Sequence, residues 1–140
     1  MTNVQSADRA EWITALIRNW VNTSPENTLG NAARDRAWDE PLVGFSRGDD
    51  PCWEAFKEHV GPFHWTPAEA FGLAYPDGGV QPGSLTVVSW VLPHMKKTKH
   101  ETSKEKTYPP ESWARARFFG EVVNEKLRRF HRYMRNQGFY

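Results

Sequence analysis

Three polar residues at helical spacing, Arg117, Glu121 and Asn124, are the best candidates in this sequence for a small-molecule site. Residues three or four positions apart lie on the same face of a helix, so the three side chains can converge on one ligand. That ligand would lie at the carboxyl end of a preceding strand. The alternative is a solvated helix face with an Arg117–Glu121 ion pair, which the sequence by itself favours.

The histidines offer a second kind of chemistry. His64 lies in an aromatic turn and is a candidate ligand-binding residue, although a hydrogen-bonded structural role is the favoured interpretation. His59 lies five positions before His64, and His94 lies six before His100. Neither pair has the helical spacing of metal ligands, so no metal site is predicted. No residue of the chain is predicted to be catalytic.

The single cysteine, Cys52, limits the redox chemistry of the chain. One thiol cannot form an internal disulfide or supply the ligands of an iron–sulfur cluster, and this indicates a reducing, cytoplasmic location. Cys52 lies near a predicted helix start, where the helix dipole can lower the pKa of a thiol. An inert, half-buried cysteine is the favoured alternative.

Two groups of basic residues are candidates for binding phosphate, either of a cofactor or of RNA. The net charge of the 140 residues is only +1, so such binding would depend on these local groups. No exposed aromatic residues for base stacking interleave the lysines, and nucleic acid is therefore not the expected partner. The candidates are Lys96, Lys97, Lys99, Arg128, Arg129 and Arg132.

Helical periodicity and turn residues define the first half of the chain. Apolar residues predict an amphipathic helix over 8–21, followed by an irregular arm to residue 40. Residues 41–45 are equally consistent with a strand and an extended tether. A helix follows Pro51, with Trp53, Phe56 and Val60 as its expected buried side, and a capping box of Thr66 and Glu69 starts a helix over 67–74.

The second half of the chain contains the strongest strand and helix signals. An apolar, β-branched run predicts a strand at about 84–92 that is covered on both faces. Residues 94–108 are rich in lysine and predict a basic surface loop. Apolar residues at helical steps predict a long amphipathic helix at about 111–137, which Gly138 ends.

These elements predict one domain spanning residues 1–140, with a helix-rich α/β or α+β fold arranged as an incomplete sandwich. A buried strand followed by a long helix is half of a βαβ unit, and no parallel partner strand follows. Phe139–Tyr140 is interpreted as the start of a further apolar element. No run of about 18 apolar residues and no export signal is present, so no membrane span is predicted.

Three segments together resemble one protein family. They are PLVGFSRGDDPCWEAFKEHVGPFHWTPAEAF, LTVVSWVLP and ETSKEKTYPPESWARARFFGEVVNEKLRRF, within residues 40–140. They are similar to the N-terminal part of epoxyqueuosine reductase-like 4Fe-4S proteins, which are related to reductive dehalogenases. The resemblance implies an α/β redox domain followed, in complete members, by a ferredoxin-like domain with two 4Fe-4S clusters, and cobalamin in some members.

The cluster-binding cysteines of that family are absent from this chain. The resemblance therefore implies an N-terminal segment of an iron–sulfur or corrinoid oxidoreductase-like protein that binds no cofactor and does not catalyse a reaction alone. A missing C-terminal partner chain or a homo-oligomer would then complete it. The alternatives are a protein-interaction or self-associating module and, third, weak RNA binding through the basic loop and helix; tRNA is a partner only by analogy with the family.

Overall fold

The computed structural model describes residues 6–139, with side chains from residue 8. Its contacts form two compact units, one made by the chain up to Leu42 together with the chain from Trp90, and the other by Val43–Ser89. The described fold is helix-rich and has one two-stranded sheet, so the predicted α/β or α+β class is confirmed. Among the described residues, no helix combines the length and apolar character needed to cross a membrane.

Helix α1, Ser6–Thr23, provides much of the core of the first unit. Ile13, Ile17 and Val21 recur every four residues and are buried, as the predicted amphipathic helix requires. Helix α1 packs against a helix near the C-terminus, α6 at Glu121–Leu127. The prediction of a helix over 8–21 is therefore confirmed, with about one more half-turn at each end.

The predicted long helix is divided into three consecutive helices: α5 at Glu111–Phe119, α6 at Glu121–Leu127 and α7 at Phe130–Asn136. The helical prediction is confirmed, but an uninterrupted helix is not formed because the chain breaks at Gly120 and at 128–129. The apolar stripe remains partly buried through Val123, Leu127 and Phe130. Gly138 has a φ of 85° and ends α7 as predicted, since this left-handed conformation suits glycine.

Trp38 fastens the irregular arm to these helices. It is only 3% exposed, and its indole Nε1 donates a hydrogen bond of 2.7 Å to the carbonyl oxygen of Gly120. A Cβ atom at Gly120 would lie 2.6 Å from Trp38 Nε1 and 2.6 Å from Ala37 Cβ. The α5–α6 junction therefore needs a glycine to admit the arm.

Asn27 holds the backbone of Trp38 on its other side. Its Oδ1 accepts a hydrogen bond from Trp38 N at 2.9 Å, and its Nδ2 donates to Trp38 O and to Val21 O. The Asn27 side chain is buried, and these bonds satisfy both its acceptor and its donor group. One amide thus links the end of α1 to the arm, which is otherwise irregular from Ser24 onward as predicted.

The sheet pairs strand β1, Leu42–Arg47, with strand β2, Thr86–Val91, in antiparallel orientation. Strand β2 confirms the predicted strand, and β1 decides for the strand between the two alternatives left open for residues 41–45, but neither strand contains a buried side chain. The expectation that β2 is covered on both faces is therefore wrong, as is its assignment to half of a parallel βαβ unit. Its apolar run reflects the β-propensity of valine and tryptophan rather than burial.

Two short helices occupy the second unit: α2 at Cys52–His59 and α3 at Pro67–Ala74. The capping box is confirmed, since Thr66 Oγ1 accepts from Glu69 N and Glu69 Oε2 accepts from Thr66 N. Helix α2 has no buried residue, so the prediction of a buried Trp53, Phe56 and Val60 face is wrong. A single helical turn, Pro82–Ser84, precedes β2.

The predicted basic loop over 94–108 is partly helical, because Lys96–Lys104 forms helix α4. The loop prediction is wrong for these residues. Helix α4 packs against α5, with Thr98 buried and with Ser112 Oγ donating a hydrogen bond to Glu101 Oε2. Tyr140, predicted to continue a further apolar element after Phe139, lies outside the described residues.

Replacing Gly120 by alanine tests the fit between the arm and the helix junction. We expect Gly120→Ala to lower the free energy of unfolding by about 2 kcal/mol, because the new methyl group overlaps Ala37 and Trp38. The matched control is Gly72→Ala in α3, where nothing lies within 4 Å of the added atom; it should raise stability by about 0.5 kcal/mol. Urea unfolding followed by tryptophan fluorescence measures both, and equal effects at the two sites would contradict the proposed fit.

Candidate functional site

A polar cavity lies in the first unit, beside Trp38. Its volume is about 240 Å³, which suits a small ligand or a single polar group of a larger one. The arm, the end of β2, the residues after it and helices α5 and α6 all contribute to its walls. The lining residues are Trp38, Trp90, Leu92, His94, Arg117, Glu121 and Asn124.

A chain of hydrogen bonds orders the polar side of the cavity. Trp90 Nε1 donates to Asn124 Oδ1 at 3.1 Å, and Asn124 Nδ2 donates to Glu121 Oε1 at 2.8 Å. The other carboxylate oxygen of Glu121 accepts from Arg117 Nη1 at 3.5 Å. The first two bonds fix the orientation of the Asn124 amide, whereas the long third bond leaves the guanidinium only loosely engaged.

His94 forms another part of the cavity wall. Its ring lies against that of Trp38, with centroids 4.7 Å apart, and residues 38 and 94 form an isolated antiparallel bridge. Its Nδ1 atom is buried and has no hydrogen-bond partner among the described residues. Desolvation lowers the pKa of His94, and the positive charges of Arg117 and Lys99 lower it further, so the ring is neutral near pH 7.

The charges around the polar cavity favour an anionic ligand. The negative charge of Glu121 balances the positive charge of Arg117. Lys99 is close enough to lower the pKa of His94, so these three charged groups together carry one positive charge in excess. The Arg117 side chain is 56% exposed and can turn its remaining N–H donors toward a ligand. A phosphate or carboxylate group accepts such paired donors, whereas the cavity lining offers no serine, threonine or cysteine nucleophile.

The structure brings together three of the four predicted ligand-binding residues. Arg117, Glu121 and Asn124 line one cavity at the end of β2, as their spacing predicted. His64 does not belong to this cavity but lies in the second unit, where the centroid of its ring is 5.3 Å from that of Phe56. Its Nδ1 atom is buried and has no hydrogen-bond partner within residues 8–139.

Sequence reasoning missed Trp38, Trp90 and His94 as lining residues. Trp38 is the one bulky aromatic residue of the polar arm, which indicated an anchor but not a cavity wall. His94 was considered only as a metal ligand paired with His100. Its role depends on the pairing of residues 38 and 94, which are 56 positions apart, and no local pattern signals such a contact.

The basic candidates occupy two places in the first unit. Lys96, Lys97 and Lys99 are exposed on α4, and Lys97 Nζ lies 3.6 Å from Asp35 Oδ2. Arg128, Arg129 and Arg132 are exposed around the junction of α6 and α7. Phosphate or RNA binding by these residues stays a prediction.

Cys52 agrees with the predicted unreactive cysteine except in its burial. The residue is exposed rather than half-buried. A hydrogen bond with Asp50, together with the negative charge of that carboxylate, raises the pKa of the thiol. The proposed activation by the helix N-terminus is therefore outweighed by the neighbouring aspartate, and the thiol form predominates near pH 7.

The 4Fe-4S clusters that the family resemblance implies do not fit the cysteine content of this chain. A 4Fe-4S cluster needs several thiolates, and the sequence contains only Cys52. Among the described residues, no three histidine, cysteine, aspartate or glutamate side chains are grouped as a metal site would require. The polar cavity is also far too small to enclose a corrinoid macrocycle.

Comparison of the chain with protein family models, with curated proteins and with solved structures found no match.

The lowered pKa of His94 predicts a pH-dependent stability. The neutral ring is favoured in the folded state, so between the lowered pKa and about 6.5 the unfolded chain binds more protons. The free energy of unfolding should therefore fall as the pH drops below about 6.5, and this part of the fall should disappear in His94→Gln. Urea unfolding at several pH values between 5 and 8 measures the effect.

The control for this prediction is His100→Gln, which changes an exposed histidine on α4. This variant should keep the pH dependence of the wild-type chain. Parallel stability curves for the wild-type chain and His94→Gln would show that His94 makes no such contribution.

Proposed function

We propose that this chain is a ligand-binding part of an oxidoreductase-like protein of the epoxyqueuosine reductase kind. In this proposal the polar cavity holds a phosphate or carboxylate group of a substrate or cofactor, and the chain catalyses no reaction by itself. The observation that carries the binding proposal is the loosely paired Arg117 beside an ordered Asn124 and a neutral His94 in one cavity.

The geometry supports binding because most of the site is already organised. Trp90 and Glu121 fix the Asn124 amide, and the Trp38 ring packs against His94, so a ligand need not order these groups. Binding to a preorganised site avoids much of the entropic cost of ordering side chains. Arg117 is the exception, and its exposed guanidinium is the group expected to move when an anion enters.

The oxidoreductase part of the proposal rests on the family resemblance. The second and third resembling segments cover residues 85–93 and 101–130. These segments supply every lining residue of the polar cavity except Trp38 and His94. The resemblance and the cavity thus involve the same stretches of chain.

Titration with inorganic phosphate, and separately with malonate, tests the binding proposal. We expect saturable chemical-shift changes at the indole N–H of Trp90 and the side-chain amide of Asn124 in NMR spectra. Arg117→Gln should weaken binding about fivefold to tenfold, because it removes charge-assisted hydrogen bonds from a partly exposed group.

The matched control is Arg47→Gln, which removes an exposed arginine that pairs with Asp49 and does not line the polar cavity. Its affinity should equal that of the wild-type chain. Equal weakening by the two variants would indicate general electrostatic attraction, and the absence of saturable changes would overturn the binding proposal.

Self-association is a second candidate function, favoured by the exposed apolar residues of the second unit. Phe63 is 74% exposed, and Trp65 and Leu73 are each 61% exposed, along the α2–α3 connection and helix α3. Large apolar side chains in such numbers on a small unit are typical of surfaces that another chain covers. The proposed occupant is a second copy of this chain.

One sample of the purified chain tests both the proposed self-association and the proposal that the chain catalyses no redox reaction by itself. Under anaerobic conditions we expect no visible absorption band and no turnover, since the chain has too few thiols for a cluster. Light scattering should show a mass that rises with concentration, and Trp65→Ser should reduce this rise more than Phe118→Ser, which changes an exposed residue of the first unit. A coloured, active monomer at all concentrations would contradict both proposals.

A further inference from the structure

A second cavity lies between helix α6 and the end of α1, and it is lined by other residues of α6 than the polar cavity. Its volume is about 430 Å³, and its lining differs in character from that of the polar cavity because apolar surface predominates. Helix α1, the turn that follows it, helix α6 and the residue before α7 all contribute. This apolar cavity is lined by Trp20, Thr23, Ser24, Pro25, Glu26, Val123, Lys126, Leu127 and Arg129.

The apolar part of this cavity is firmly held. Val123 is 2% exposed and Leu127 is 1% exposed, so both belong to the core of the first unit. The Trp20 ring meets the rings of Phe130 and Tyr133 edge-on, at centroid distances of 5.5 and 5.6 Å. These contacts keep a broad aromatic surface in place, against which a flat apolar group can pack.

The charged part of the cavity has one cation more than it has anions. Lys126 Nζ donates a hydrogen bond to Glu26 Oε1, and Ser24 Oγ donates to Glu26 Oε2 at 2.7 Å. These bonds lower the pKa of Glu26 to about 2, so Glu26 is ionised at neutral pH and balances Lys126. Arg129 has no ion pair among the described residues and supplies the excess positive charge.

We infer that the apolar cavity binds an amphipathic monoanion, with a flat apolar body against the Trp20 ring and a carboxylate near Arg129. The volume suits a ligand with a bicyclic aromatic body, and the single uncompensated cation suits a single negative charge. A neutral apolar ligand would leave Arg129 unused, whereas a compact polar anion would leave the aromatic surface uncovered. This inference does not depend on the proposed function, since the two cavities share no residue.

Titration of the full chain with naphthalene-2-carboxylate tests the inference. We expect saturable NMR shifts at the indole N–H of Trp20 and the backbone amides of Lys126 and Arg129, with a dissociation constant on the order of 1 mM. Naphthalene-2-carboxamide has the same body without the charge and should bind more weakly. Acetate keeps the charge without the body and should cause no saturable shifts at these residues.

Two arginine variants separate local recognition from general attraction. Arg129→Gln should weaken binding of the carboxylate about threefold, as expected for an exposed ionic contact, and should not change the affinity for the carboxamide. The control Arg132→Gln removes an exposed arginine that does not line the cavity and should leave both affinities unchanged. Equal affinities of the wild-type chain for carboxylate and carboxamide, equal effects of the two variants, or saturable shifts confined to the polar cavity would each overturn the inference.

Discussion

The contact between Trp38 and Gly120 is the constraint on which the first unit depends. The indole lies against a backbone position that has no side chain, and its N–H group donates to the carbonyl of that same residue. Because a buried indole N–H needs an acceptor, the hydrogen bond and the close approach are satisfied together. Asn27 then holds the backbone of Trp38 from the other side, and the arm, the end of α1 and the α5–α6 junction become one packed body.

The polar cavity follows from the same contact. With Trp38 fixed, the pairing of residues 38 and 94 brings His94 against the indole ring, and the break at Gly120 places Arg117 before the junction and Glu121 after it. The electrostatic properties of the site arise from this arrangement: His94 is desolvated beside cations, whereas Arg117 remains partly exposed. The polar cavity and the packing of the first unit therefore have a common structural origin.

Sequence reasoning succeeded where structure is decided locally. The capping box at Thr66, the amphipathic helix α1, the stop at Gly138 and the helical spacing of Arg117, Glu121 and Asn124 all depend on residues a few positions apart. It failed where distant segments decide the outcome. The predicted long helix is divided at Gly120, where Trp38 approaches it, and again at 128–129. A lysine-rich segment forms a helix that packs against α5, and β2 pairs with an antiparallel partner rather than lying buried.

The long separation of Trp38 and Gly120 along the chain also bears on how the protein folds. These residues are 82 positions apart in the sequence, and Trp90 and Asn124, which are also hydrogen-bonded, are 34 positions apart. Closing such loops costs chain entropy before any contact compensates for it, and proteins rich in distant contacts fold slowly for this reason. Helices α1 and α3 can begin to form from local signals, but the polar cavity has no walls until both closures are complete. A ligand of that cavity would therefore recognise only chains that have finished folding the first unit, and would draw the folding equilibrium toward them.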